Sequence, residues 1–383
     1  MKLFVVAGEP SGDRLGAALM EGLGSLAPGV TFEGIGGPAM EAQGLTSRFP
    51  MQELSVMGIA EVLPKYRHLK RRIAETARAV IDAGADALIT IDSPDFCLRV
   101  AKIVKAARPR LPTIHYVAPS VWAWRPGRAA KMARVIDHVL ALLPFEPPYM
   151  TAAGMTCDFV GHPVVAERLA TIRESDAMRG TSPLILALPG SRRGEVARIA
   201  PVIGTTLSLL KPRFPGLRVA LPTLPHIAPL IRDLVRDWPV RPEVIEHPDR
   251  KRSAFAAADV AIAASGTVSL ELAANACPMV IAYKMHPLTM WLMRRAALID
   301  TVTLVNLVSE TRTIPEFIGR NARAARTAPA LARILTDPQA REAQRDAMAL
   351  TMQRLGQGGE APGLRAARSV LGFLAGFTPP SDP

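Results

Sequence analysis

Apolar runs of strand length alternate with longer mixed stretches almost from one end of the chain to the other. In the first half, Lys2–Ala7, Thr31–Ile35, Ala87–Ile91, Thr113–Val117, Val135–Leu142 and Asp158–Val160 predict strands. Between them, Gly12–Leu26, Arg71–Ala83 and Phe96–Ala107 repeat their apolar positions with a helical period. The second half follows the same plan. Leu184–Leu188, Arg218–Leu221, Glu243–Glu246, Val260–Ala264 and Met279–Tyr283 predict strands, with Glu195–Leu210 and Val268–Ala276 as helices among them. Strands that are apolar throughout and separated by helices must be buried on both faces, which requires parallel sheets covered by helices. The expected fold class is α/β, with two doubly wound Rossmann-like domains. Residues 167–183 break the rhythm with mixed charge and a Gly-Thr-Ser-Pro ending, so this stretch is the candidate linker between domains at 1–166 and 184–337. From Ala322 onward only helical patterns remain, at Ala322–Leu335, Gln339–Leu355 and Gly363–Leu374. Residues 338–383 are expected as C-terminal helices, with packing back on the N-terminal domain as one option.

Composition narrows the partners. The 383 residues are 49% hydrophobic and 21% charged, enough apolar material for two cores and too little charge for disorder. Lys plus Arg number 46 against 34 Asp plus Glu, a net charge of +12. Residues 1–166 hold 18 basic and 15 acidic side chains; the remainder hold 28 and 19. Such an excess favours anionic partners: nucleic acid, acidic headgroups or phosphorylated small molecules. Aromatics make up only 5%, which leaves little for base stacking and weighs against nucleic acid. Cys97, Cys157 and Cys277 lie far apart, which excludes a disulfide framework and a cysteine zinc site and suits a reducing compartment. The N-terminal apolar run stops at Gly8-Glu9, too short for a signal peptide, and no run reaches the roughly 18 residues of a spanning helix.

Doubly wound sheets bind ligands beyond the carboxyl ends of their strands, so the candidate chemistry lies in five loops. In Gly8-Glu9-Pro10-Ser11-Gly12-Asp13, Ser11 can cap the following helix, and Glu9 is either a dipole partner or a ligand group. In Asp92-Ser93-Pro94-Asp95, Ser93 and Pro94 look like N-cap and first helical position, which accounts for Asp95 in the first turn. Asp92 directly follows a buried strand, where an acid needs a catalytic or binding reason. Trp122, Trp124 and Arg125 in the third loop are either core packing or one wall of a sugar or acyl pocket. Gly190, Ser191 and Arg192 open a helix and suit a phosphate through amides and a guanidinium. Ser265, Gly266 and Thr267 repeat that arrangement, with Glu271 one turn along, where it can accept bonds from ribose hydroxyls. Two such loops in one domain indicate a nucleoside diphosphate. The chain has no Asp-x-Asp pair, no His-Glu-x-x-His and no Gly-x-Ser-x-Gly elbow, so neither a metal nor another cofactor is expected. His162, in Gly161-His162-Pro163, is expected as a hinge histidine with its bonds satisfied rather than as a base.

Taken in order, Ala-Gly-Glu-Pro-Ser-Gly-Asp (7–13), Ile-Asp-Ser-Pro-Asp-Phe (91–96), Pro-Ser-Val-Trp-Ala-Trp-Arg (119–125), Leu-Pro-Phe-Glu (143–146), Val-Gly-His-Pro (160–163), Leu-Pro-Gly-Ser-Arg (188–192), Ser-Gly-Thr-Val-Ser-Leu-Glu (265–271) and Tyr-Lys-Met (283–285) run over most of the chain. This series resembles the lipid-A-disaccharide synthases. The resemblance implies a GT-B fold, with a UDP-sugar donor on the second domain and the acceptor on the first. It implies an inverting, metal-independent transfer from UDP-2,3-diacylglucosamine to 2,3-diacylglucosamine 1-phosphate. Carried over by residue, Asp92 matches the family's proposed base, Arg192 its essential arginine, Glu271 its nucleotide-side glutamate and Asn306 the asparagine after the last donor strand. Glu9 joins Asp92 and Arg192 as a catalytic candidate, while Ser11, Trp122, Trp124 and Arg125 fall on the acceptor and acyl side. Pro10, Cys97 and Gly319 depart from the commoner alanine, asparagine and glutamine, which bears on fine substrate contacts. The alternative is another GT-B enzyme that uses UDP-N-acetylglucosamine, either a 2-epimerase or a transferase with a different acceptor. A nucleic-acid-binding protein would explain the charge but not the five loops.

Acylated substrates imply docking on an anionic membrane surface, at the cytoplasmic face of the inner membrane. Residues 54–64, with Val56, Met57, Ile59 and Leu63, are mainly apolar, and Lys65, Arg67, Lys70, Arg71 and Arg72 follow with no acidic residue among them. The plainer account of this segment is a core helix followed by a solvated basic face. Residues 285–295 repeat the apolar-then-basic order. A homodimer stays open.

Overall fold

The structure is a computed structural model, and it describes residues 1–54 and 59–378, with the backbone alone for 59–66, 287, 288 and 294. The chain divides into two compact units: Met1–Ala166 with the chain from Gly358 onward, and Glu167–Gln357.

The first unit is built on β1 (Lys2–Ala7), β2 (Thr31–Ile35), β3 (Ala87–Ile91), β4 (Thr113–Tyr116), β5 (His138–Ala141) and β6 (Thr156–Phe159). All six are parallel, in the order β2-β1-β3-β4-β5-β6. Its helices are α1 (Pro10–Leu26), α2 (Pro38–Glu41), α3 (Ile59–Asp82), α4 (Pro94–Ala107), α5 (Gly127–Met132) and α6 (Pro147–Thr151). Every residue of β3 is buried, as its unbroken Ala-Leu-Ile-Thr-Ile run requires of a central strand.

The second unit carries β7 (Leu184–Leu188), β8 (Arg218–Pro222), β9 (Glu243–Ile245), β10 (Val260–Ala263), β11 (Met279–Tyr283) and β12 (Glu316–Ile318), parallel in the order β12-β11-β10-β7-β8-β9. Around them lie α7 (Ile172–Asp176), α8 (Arg193–Leu210), α9 (Ala228–Leu234), α10 (Pro248–Ala257), α11 (Val268–Ala274), α12 (Pro287–Ala296), α13 (Leu304–Ser309), α14 (Ala324–Thr336) and α15 (Pro338–Arg354). The final helix, α16 (Pro362–Gly376), returns to the first unit and packs on α1. There Gly22 and Gly363 permit backbone contact: a Cβ on Gly363 would stand 2.5 Å from the Ala18 carbonyl oxygen.

Two boundaries differ from expectation. Residues 167–183, expected as a linker, belong to the second unit and hold α7, which packs on α10. The mixed charge that looked like linker composition is a capping box, in which the Thr171 hydroxyl accepts from the Glu174 amide and the Glu174 carboxylate accepts from the Thr171 amide. The C-terminal helical region also divides. α15 stays with the second unit because the buried Gln344 side chain bonds both the amide and the carbonyl of Met279 on β11, at 2.7 and 3.1 Å. Only α16 crosses back. β12 was not expected, because a three-residue half-buried edge strand carries no apolar run.

Candidate functional site

Each sheet has one place where neighbouring strands send their connections to opposite sides, and ligand crevices form there. In the first unit it lies between β1 and β3; in the second, between β7 and β10. Four of the five strand-end loops singled out from the sequence lie at these positions, and the third follows β4, next to β3. Ala7 pairs with Ile91, so Gly8-Glu9 and Asp92-Ser93 leave the first sheet side by side. Leu188 pairs with Ala263, so the Gly190 and Ser265 loops do the same in the second.

Glu9 occupies the N-cap position of α1 with an extended backbone and does not cap with its side chain. Helix α1 starts at Pro10, so the expected cap Ser11 lies inside the first turn and is exposed. The buried carboxylate at this end is Asp13. It accepts from the Gly37, Ala39 and Met40 amides at 2.8, 3.0 and 3.0 Å and so caps α2.

Asp92 is half-buried, with φ of 52°, and the next residue, Ser93, has φ of 43°. Two consecutive left-handed non-glycine residues cost free energy that the surroundings must supply. The Asp92 amide donates to the Tyr116 carbonyl at 2.9 Å, and the Ser93 amide donates to Asp92 Oδ1 at 2.8 Å. Ser93 holds the N-cap position of α4, but its left-handed backbone carries the hydroxyl away from the helix amides, and the buried Oγ has no hydrogen-bond partner. The expected serine cap is therefore not formed. Asp95 is exposed in the first turn.

The third loop begins at Val117, with φ of 84°, and passes Arg125, with φ of 55°. Trp122 and Trp124 separate in environment. The Trp122 indole is buried, donates from Nε1 to Glu146 Oε1 at 3.1 Å, and meets the Phe145 ring edge-on at 5.1 Å. Trp124 is half-buried beneath the exposed Arg125 guanidinium, 4.2 Å from its ring centroid. Trp122 thus supports the loop from behind, and Trp124 with Arg125 forms the face it presents. Sequence reasoning did not single out Glu146 as a site residue, although Leu-Pro-Phe-Glu was among the matching segments. Burial pushes its carboxyl up to about 7, against the pull of the Leu143, Trp122 and Leu142 N–H donors. His162 is buried, accepts from the Val164 amide at 3.2 Å, and burial lowers it to about 4. Its Nδ1 thus serves the turn that follows β6.

In the second unit, Gly190 has φ of 115°, and Arg192 is the N-cap of α8. Ser191, Arg192 and Arg193 are exposed. The Ser191 amide is already engaged: it donates to Glu195 Oε2 at 3.2 Å, and a Cβ on Gly190 would stand 2.1 Å from that oxygen. Burial raises the Glu195 carboxyl, while the Ser191 amide and Arg192 lower it. Tyr283, at the end of β11, joins this cluster: burial and the Glu195 charge push its phenol up, and Arg192 and Arg198 oppose them. Ser265 donates from Oγ to the Val302 carbonyl at 3.1 Å, and Gly266 and Thr267 are exposed beside it. Glu271, on α11, is paired with Lys251 of α10.

Asn306 lies on α13 and is buried. Its amide nitrogen donates to Thr301 Oγ1 and the Ile314 carbonyl, and its oxygen accepts from the Ile314 amide. It braces the loop against which Ser265 rests. Of the basic run on α3, Arg72 is also committed, to Glu53 at 2.8 and 2.9 Å and to Glu75 at 2.8 Å. Arg71 lies 3.6 Å from Glu75, and Arg67 and Lys70 are exposed. Val56 and Met57 lie outside the described residues. Ile59, Leu63 and Lys65 are placed by their backbone on α3.

Two doubly wound sheets with paired strand-end loops at each switch point define a two-domain α/β protein of GT-B type. Solved structures share this fold. A UDP-GlcNAc 2-epimerase from Neisseria meningitidis bound to UDP-GlcNAc superposes with a TM-score of 0.66 at 13% identity, over 98% of this chain and 100% of that one. MurG from Acinetobacter baumannii gives 0.57 at 13%, over 98% and 99%. The sequence is more specific. The family model for lipid-A-disaccharide synthetase matches residues 3–362. The chain is 60% identical to the lipid-A-disaccharide synthase of Ruegeria pomeroyi, over 98% of this chain and 96% of the relative. It is 46% identical to that of Rhodospirillum centenum, over 97% and 94%. The chain belongs to the lipid-A-disaccharide synthase family, and its activity is the glycosyl transfer that makes the lipid A disaccharide.

Proposed function

We propose that the β1–β3 edge of the first unit holds 2,3-diacylglucosamine 1-phosphate and that the β7–β10 edge of the second holds UDP-2,3-diacylglucosamine. The observation that carries this reading is the placement of Asp92, on a left-handed turn, at the first switch point. Asp92 takes the proton from the acceptor 6-hydroxyl as its oxygen attacks the donor anomeric carbon. The bond from that carbon to the diphosphate breaks, and UDP leaves with inversion. Arg192 carries the counter-charge for the departing diphosphate, aided by the amino end of α8. Glu9, beside Asp92, orients the acceptor. Gly190, Ser191, Ser265, Gly266 and Thr267 line the diphosphate and uridine side, and Glu271 accepts from the ribose hydroxyls after exchange with Lys251. Because Glu195 already takes the Ser191 amide, the guanidinium of Arg192 bears more of the phosphate binding than the amides do.

The enzyme works on the cytoplasmic face of the inner membrane. No helix among the described residues is long and apolar enough to cross a membrane. The exposed Arg67, Lys70 and Arg71 of α3 support surface docking as headgroup-facing charges, while its described apolar face, with Ile73, Ala77 and Val80, packs into the core. The deciding experiment supplies the purified enzyme with both diacylated substrates and resolves the disaccharide phosphate by mass spectrometry, alongside calorimetric titration with UDP. UDP binding without disaccharide formation would overturn the placement of the two substrates on these edges.

A further inference from the structure

Glu146 is a carboxylate that neither the base nor the donor site uses, yet it is buried with only 4% of its surface exposed. A group of this kind is expensive to bury unless its hydrogen bonds are made. Three donors meet it. Oε1 takes the Trp122 indole N–H at 3.1 Å, and Oε2 takes the Leu142 and Leu143 amides at 3.1 and 2.9 Å. The last two belong to the chain just beyond β5; Trp122 belongs to the loop after β4. One side chain therefore joins two neighbouring loops at the carboxyl edge of the first sheet. The joined loop is strained at both ends, at Val117 and Arg125, and it starts one residue after the carbonyl that holds the Asp92 amide. Its presented face is Trp124 beneath Arg125, and Arg125 has no carboxylate within ion-pair distance among the described residues.

We infer that Glu146 is the positioning residue of this loop: through Trp122 and the Leu142 and Leu143 amides it holds Arg125 where the guanidinium meets the phosphate of the acceptor. The inference rests on the reading of the first unit as the acceptor side. An exposed arginine held over an indole is oriented in advance, so less rotamer freedom remains to be lost when a phosphate arrives. The orientation lasts only while the loop beneath it is fixed. Glutamine at 146 keeps the shape of the side chain but has one oxygen in place of two, so it cannot serve the indole and the two amides together.

The test measures steady-state kinetics with 2,3-diacylglucosamine 1-phosphate and with the same acceptor lacking the phosphate, for Glu146→Gln, Trp122→Phe and Arg125→Ala. UDP titration of each variant reports on the second unit. Glu146→Gln should raise KM for the phosphorylated acceptor about tenfold or more, with kcat within about threefold and UDP affinity unchanged. Its preference for the phosphorylated acceptor should fall toward that of Arg125→Ala. Trp122→Phe, which removes one donor and keeps an aromatic ring, should move KM the same way by a smaller factor, and it serves as the informative variant if Glu146→Gln fails to fold. If Arg125→Ala loses the phosphate preference while neither of the other two does, the positioning role is wrong and the acceptor-side reading stands. If Arg125→Ala leaves the preference intact, the acceptor-side reading fails first. A loss confined to kcat, or one that includes UDP affinity, would also overturn the inference.

Discussion

Asp92→Asn separates basicity from structure at this position. Asp92 stands at φ of 52°, a region that aspartate and asparagine both tolerate better than other side chains. Asparagine keeps an Oδ1 that can accept the Ser93 amide, now 2.8 Å away, and the Asp92 backbone amide keeps its bond to Tyr116. The fold should therefore be unaffected within about 1 kcal/mol, roughly 2–4 °C in Tm for a unit of this size. Alanine would be a poor choice, because it loses the Ser93 bond and adds roughly 1–2 kcal/mol of left-handed backbone cost. Catalysis is a separate matter, since an amide cannot take the proton of the acceptor hydroxyl. Loss of a general base costs roughly 10²–10⁴ in turnover, or about 3–5 kcal/mol of barrier at 1.36 kcal/mol per tenfold. The assay follows conversion of both diacylated substrates to the disaccharide phosphate, with Tm by calorimetry and UDP affinity by titration on the same samples. Asp95→Asn is the control: an exposed first-turn residue, worth about 0.3–1 kcal/mol through the helix dipole. Activity within threefold of wild type in Asp92→Asn, together with inactivation by Asp95→Asn, would refute the assignment.

Other expectations follow from the same geometry. Arg192→Ala should lower turnover on the order of 10²-fold while Arg193→Ala stays within about threefold, since both are exposed and only the first stands at the N-cap position of α8, next to the Ser191 turn; equal small effects would remove Arg192 from the leaving-group role. Buried His115 and His162 are both held down to about 4, so their contribution is whole above roughly pH 6.5 and is lost as pH falls toward 4, on the order of 3 kcal/mol each at most. Glu146, raised to about 7, runs in the opposite sense over this range, so the informative comparison is between Tm–pH curves: His162→Asn should give a flatter curve than wild type between pH 6.5 and 4, and parallel curves would contradict it. Serine at Val56, Met57, Ile59 and Leu63 together should release the protein from anionic vesicles in co-sedimentation, and retention of binding would move the docking site elsewhere.

The alternation of buried runs and helical periods made the α/β class legible, because central parallel strands such as Ala87–Ile91 must be apolar on both faces. The positions of Glu9, Asp92, Arg192 and Ser265 were legible for the same reason: each follows such a run, and a polar residue at that point stands at the carboxyl edge. Interactions between distant segments were not legible. Nothing local shows that Gln344 bonds both backbone groups of Met279, yet that pair keeps α15 with the second unit. Nor does composition distinguish a linker from the Thr171–Glu174 capping box, since both are short and rich in charge.

The larger gap concerns backbone conformation. Among the described residues, six non-glycine positions have positive φ, and four of them, Asp92, Ser93, Val117 and Arg125, lie in the loops that follow β3 and β4. Each costs on the order of 1–3 kcal/mol unless the surroundings impose it. The sequence offered serine and proline at 93 and 94, a sound capping pattern, and the pattern failed because the Tyr116 carbonyl takes the Asp92 amide and turns the chain before the helix begins. The Val117 amide is held in the same way by the Leu140 carbonyl at 3.0 Å, and Glu146 fixes the loop beyond it. Three successive strands therefore support one another's exits: β4 holds the turn of β3, β5 holds the turn of β4, and a carboxylate just past β5 closes the series. Local propensity contributes little to that arrangement, which is why Asp92 could be found from the sequence while the groups that aim it could not.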